Sequence, residues 1–177
     1  MGQKHGRASI LVSAEPFTNL PRKAIAHVWQ VFNDLADGFG ISVDEVVEIC
    51  ADLKDELNVS RLSIIEKSTA LFEVLDTDRN GLIDALELVS TLAALSGMRV
   101  LEILEFILSS YDFDGVSSLT VDEVTLALKS VSTGLCKVCG LPSPREELIE
   151  QLVSTVCYVT SCVCVCVCVS LSAKSSN

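Results

Sequence analysis

Apolar residues recur at helical spacing through most of this chain, in separate blocks joined by short polar stretches. Ile25, Val28, Trp29 and Phe32 mark one block that Pro21 can start, and Val46, Ile49 and Leu53 mark the next. Phe72 and Leu75 close a stretch that begins near Leu62, and Leu88 and Leu92 open the one after it. From Met98 to Tyr111 the pattern expects Leu101, Leu104, Ile107, Leu108 and Tyr111 to face inward, and Pro144 to Cys157 repeats it through Leu148, Ile149 and Leu152. A period near 3.6 with one apolar stripe per block predicts amphipathic helices, hence an all-α fold.

The acidic connections are themselves periodic. Twelve-residue stretches starting at Asp34, Asp76 and Asp112 each end in glutamate, a repeat of about 36 to 42 residues that implies stacked helix-loop-helix units. The central one, Asp76 to Glu87, places oxygens at alternate positions through Asp76, Asp78 and Asn80, with Gly81 at the sharp turn. Leu82 would contribute its backbone carbonyl, Asp84 would act through water and Glu87 would supply two oxygens. A large, hard cation with six to eight oxygen ligands at about 2.3 to 2.6 Å needs this spacing, so the loop predicts a Ca²⁺ site. Ile83 is expected to turn away from the ion into a short β-bridge with another loop.

The flanking loops keep their ends and lose their middles. In Asp34 to Glu45, Ala36 and Gly38 offer no side-chain oxygen and Phe39 replaces the turn glycine, so the loop is expected to keep the fold without the metal. In Asp112 to Glu123 a weaker set remains, Asp112, Asp114, Ser118, Thr120 and Glu123, while Val116 cannot ligate, Ser117 replaces the turn glycine and Gly115 stands two positions early. Ile41, Ile83 and Leu119 occupy the bridge position in turn. Ile41 is expected to pair with Ile83, leaving Leu119 without a partner and its helix-loop-helix unit the least stable.

Charge narrows the partners. The chain carries 24 acidic and 13 basic residues, and residues 31–150 alone hold 23 and 8, a net of −15. Such a surface disfavours nucleic acid and suits cations or basic helices. The two histidines, His5 and His27, stand near the N-terminus, and no phosphate-binding glycine loop, nucleophile elbow or metalloprotease motif occurs, so no enzyme is expected. Five of eight cysteines follow Val156 and no N-terminal signal peptide is seen, which points to a reducing, cytoplasmic setting. Cys136 and Cys139 lack two further zinc ligands at suitable spacing and are read as packing in a linker.

Through Asp76, Asp78, Asn80, Gly81, Asp84 and Glu87 the chain resembles the EF-hand superfamily over about residues 25 to 155. The long repeat, disabled first loop and Gly-bearing linker after the third resemble the neuronal-calcium-sensor and calcineurin-B-like branch more than calmodulin. The resemblance implies a pair of hands over 21–95, the first loop degenerate and the second intact, and a third hand with the entering helix of an incomplete fourth over 96–157; composition adds a flexible basic leader over 1–20 and a Cys/Val-rich low-complexity tail over 158–177. It implies a calcium sensor that opens an apolar groove for a partner's amphipathic helix. A calcium buffer, and a structural interaction subunit using calcium only for stability, are the alternatives.

The ends bear on membranes. Gly2 is a weak acylation signal because Gly6 stands where Ser or Thr is wanted, and residues 152–173 are uncharged, long enough for a span but interrupted by Ser and Thr. Clustered tail cysteines offer a lipidation site instead. The Cys-Val alternation from Cys162 to Val169 is also what a TG dinucleotide repeat encodes in triplets. On that reading the natural chain continues past about Val156 into an acidic loop that partners Leu119. Sequencing the transcript across this point should show that loop; an unbroken message encoding the Cys-Val run would refute it.

Overall fold

The computed structural model describes residues 10–35, 38, 40–113, 115, 116 and 118–155, so the readings made for Gly2, Ala36, Phe39, Asp114, Ser117 and the tail lie outside the described residues. The described chain is mostly helical. After a 3-10 turn at Glu15–Phe17 come α1 (Arg22–Leu35), β1 (Gly40–Ile41), α2 (Val43–Cys50), α3 (Leu53–Glu56), α4 (Arg61–Leu75), β2 (Ile83–Asp84), α5 (Ala85–Leu95), α6 (Val100–Ser110) and α7 (Val121–Val138). Residues 146–155 are helical again. Local chemistry starts these helices: Ser60 accepts the Ser63 N–H at 3.2 Å to cap α4, and Glu102 accepts the Arg99 N–H at 3.0 Å and its guanidinium at 3.2 Å to begin α6.

β1 and β2 form a two-residue antiparallel ladder in which Ile41 faces Ile83, the register that the loop spacing predicts. Both isoleucines are buried, so the bridge ties two loops together through the core. Leu119 is partly buried against the same core and belongs to no strand among the described residues.

α5 is the central element. Every residue from Ala85 to Ala93 is buried, as is Leu95. A helix apolar on all sides must be covered on all sides. α7 gives the most extensive cover, with α1 and α6 on other faces, while α2 lies along α4 and α4 also touches α7. One contiguous set of buried side chains therefore runs from Ala14 to Val138. Tyr111, fully buried at the end of α6, meets Ser90 on α5 through its hydroxyl at 3.1 Å.

Several expectations are corrected. From residue 10 the supposed leader is part of the core: Ala14, Phe17 and Leu20 are buried, the Leu11 N–H donates to the Val138 carbonyl at 2.8 Å, and Asn19 N–H reaches Leu95 at 2.9 Å. Leu101 and Leu104 are 73 % and 44 % exposed, whereas Phe106, Ile107 and Ser110 are buried. The α6 sequence carries apolar residues on more than one side, so its spacing fits two overlapping stripes and only packing selects between them. Likewise Ile149 and Val153 are buried in the last helix, while Leu148 and Leu152 are exposed. The supposed linker around Cys136 is continuous helix, and Gly134 lies inside it. Among the described residues no helix is long and apolar enough to cross a membrane.

At Gly134, α7 lies close against α5. A Cβ there would meet Thr91 Oγ1 at 1.8 Å, Thr91 Cβ at 3.1 Å and Glu87 Cγ at 3.2 Å. Replacing Gly134 by Ala should therefore lower unfolding stability by about 1–3 kcal/mol despite alanine's better helix propensity. Thr91→Ala in the same chain should recover most of that loss in denaturant melts, since it removes the atom the new Cβ strikes.

Candidate metal centre

The 76–87 loop is folded by its own oxygens. Asp76 accepts the Asn80 N–H at 3.1 Å through Oδ1 and the Gly81 N–H at 3.1 Å through Oδ2. Asp78 Oδ2 accepts from Asn80 Nδ2 at 2.9 Å, and Asn80 Oδ1 accepts the Leu82 N–H at 2.8 Å. Side-chain acceptors thus turn toward the backbone N–H groups of one small ring. The turn needs left-handed backbone at two places: Gly81 has φ +82° and Arg79 φ +57°. Arg79 is the surprise, because arginine carries a Cβ. In the third loop the position equivalent to Arg79 is Gly115, with φ +67°. That glycine, which looks misplaced in sequence, answers a real conformational demand of the loop.

The three closing glutamates behave differently, and the residue three places before each explains why. Ser42 donates its N–H and its hydroxyl to Glu45 Oε2, both at 2.7 Å. These bonds to Ser42, the backbone one first, hold the Glu45 carboxyl below its ordinary value. Thr120 does the same for Glu123 Oε2, at 2.7 Å through its N–H and 2.9 Å through its hydroxyl. Both carboxylates are spent on capping their own helix. At the central loop the equivalent residue is Asp84, whose carboxylate has no proton to give. It caps α5 by itself, Oδ1 accepting the Leu86 N–H at 2.7 Å and the Glu87 N–H at 3.1 Å. Glu87 is left free to reach elsewhere.

It reaches α7. Glu87 is 8 % exposed, and its Oε1 lies 2.8 Å from Lys137 Nζ, an ion pair without well-directed hydrogen-bond geometry at that oxygen. The same ammonium donates to the Leu75 carbonyl at 2.6 Å. Burial pushes the Glu87 carboxyl above its ordinary value; Lys137 opposes the shift and Asp84 adds to it. The sequence does not advertise this contact. Lys137 stands alone in the last turn of an apolar-striped helix, where a base is favoured anyway by the helix dipole.

The residues of the central loop suit a hard cation. Their donors are carboxylate, amide and carbonyl oxygens, and Glu87 Oε1 is a buried acceptor served only by the lysine. They are not gathered into a ready cage: among the described residues no three His, Cys, Asp or Glu side chains converge as a metal-holding group. Glu87, which would complete the set with Asp76, Asp78 and Asp84, lies against Lys137 instead. In the weaker set, Thr120 and Glu123 are tied to each other as described, Ser118 is exposed and Asp112 is partly buried. Cys136 and Cys139 are free thiols. Cys50 is fully buried, which pushes its thiol up to about 12 and makes it a packing residue.

Comparison with known proteins adds no relatives: no family model matches the chain, and neither a curated protein nor a solved structure matches it.

Removing the ammonium tests the site's electrostatics. Lys137→Met should cost about 3 kcal/mol at neutral pH, where a buried carboxylate loses its partner. The sign follows from the raised Glu87 value. Below the ordinary glutamate range the group is protonated folded or unfolded, and the burial penalty grows as pH rises through the raised value. The deficit should therefore be small near about pH 4 and full near about pH 7 in denaturant melts.

Proposed function

We propose that this chain binds Ca²⁺ at the 76–87 loop as an EF-hand protein and acts as a calcium sensor. The observation that carries the reading is the loop: Asp76, Asp78 and Asn80 present oxygens around one turn, Gly81 takes its left-handed conformation, and Ile83 pairs with Ile41 beneath it. Asp76, Asp78, Asn80, the Leu82 carbonyl, Asp84 and Glu87 would hold the ion, which would supply positive charge to a loop of like-charged carboxylates. Thr120 and Glu123 hold each other, so the Asp112 to Glu123 loop is a weaker site.

Sensing requires an apolar surface that a partner can cover. Val100, Leu101 and Leu104 already form an exposed apolar strip on α6, the kind of surface an amphipathic helix lies against. The buried faces of α5 and α7 would add to it if their packing loosened. A fixed interaction scaffold, with calcium used only for stability, is the second reading. The burial of α5 on every side favours it, because a helix so enclosed resists opening.

Calorimetric titration should find one Ca²⁺ per chain with useful affinity, and Glu87→Gln should weaken it by about a hundredfold or more, since bidentate closure is lost. A hydrophobic dye should brighten on calcium addition if the chain is a sensor. Unchanged dye signal with intact binding would select the buffer or scaffold, and parental affinity in Glu87→Gln would refute the site.

A further inference from the structure

Both ends of the 76–87 loop are held by one cation that belongs to the chain itself. Lys137 Nζ donates to the carbonyl of Leu75, the residue before the loop, at 2.6 Å and lies 2.8 Å from Oε1 of Glu87, the residue that ends it. Neither side chain is loosely placed: the side chain of Lys137 is 14 % and that of Glu87 11 % exposed. The lysine arrives there because α7 crosses α5 at Gly134, less than one turn earlier, with no side chain between that backbone and Thr91.

We propose that Lys137 is a tethered competitor for the cation site. Its ammonium occupies Glu87 in the arrangement seen here, and a divalent ion binds at full strength only when Lys137 leaves and the end of α7 lifts from α5. The inference rests on the calcium reading above and goes beyond it by naming the residue that sets affinity and the helix that moves.

Glu87 cannot give both oxygens to an ion while Oε1 faces an ammonium. A divalent ion and an ammonium sharing that carboxylate would stand roughly 4–5 Å apart, out of reach of salt screening, where like charges repel strongly. Nor can Lys137 stay in place unpaired, because a buried charge without a partner is costly. Lys137 is anchored by Gly134 and Val138 on the buried face of α7, so its departure moves that end of the helix. The coupling is reciprocal: whatever holds α7 down weakens cation binding, and the cation loosens α7.

The test uses the full chain and Ca²⁺ alone. Calorimetry on the parent, Lys137→Met and Lys137→Gln should show the variants binding about tenfold tighter or more, within the usual range of such couplings. Gly134→Leu, which keeps the lysine but forces the helices apart, should also bind tighter. In the parent, hydrogen exchange over 121–138 should quicken by about tenfold or more on calcium addition. Parental affinity in all three variants, with α7 protection indifferent to calcium, overturns the competitor and leaves the calcium reading standing. Tighter binding without faster exchange overturns the lifting of α7, and with it the proposal. Absence of binding in parent and variants alike overturns both readings, whereas binding in the variants alone is the competitor at its strongest.

Discussion

The fold depends on covering α5. Its eleven residues, all buried except Ala94, form a helix without an exposed polar face, so it is stable only inside other helices. α7 gives the largest part of that cover, and Gly134 permits it: a side chain there would collide with Thr91. The close crossing has a consequence beyond packing. It sets the end of α7 over the first turn of α5, which is where the acidic loop finishes.

Two helices brought that close must settle the charges caught between them. Glu87 is the one ionisable residue of α5, and Lys137 meets it from α7. Around them the protein is strongly acidic, with a formal net charge of −11, so a base at this point is worth more than on a neutral surface. The outcome turns on a single position. With Ser42 or Thr120 three residues ahead, the glutamate folds back onto that residue's N–H and hydroxyl; with Asp84 there, the hydroxyl donor is replaced by a carboxylate that caps the helix itself and repels a second one, and Glu87 turns to Lys137. The same choice frees Glu87 for a cation, whether the lysine's ammonium or a metal.

The N-terminal segment shows how tertiary contact overrides composition. Residues 10–20 have weak helical periodicity, and the basic residues before them read as a solvated leader. Yet Phe17 and Leu20 fill space beside α1, and two backbone hydrogen bonds join Asn19 and Gly97 to opposite strands of chain, at 2.9 and 3.1 Å. Gly97 has the Asn19 carbonyl 3.3 Å from where its Cβ would be, so this approach too relies on a missing side chain.

What the sequence by itself determined is local. The helical blocks, the left-handed turn at Gly81 and the facing of Ile41 and Ile83 follow from spacing and side-chain chemistry along the chain. The candidate ligands Asp76, Asp78 and Asn80 were legible for the same reason: a loop this short carries its own geometry. The stripe that α6 buries, the enclosure of α5 by α7 and the meeting of Lys137 with Glu87 were decided only by tertiary structure. Each depends on which of several apolar faces wins the most cover, a sum over partners distant in the chain. No local pattern contains that sum, and so the carboxylate that the loop spacing assigns to a metal lies instead against a lysine two helices further on.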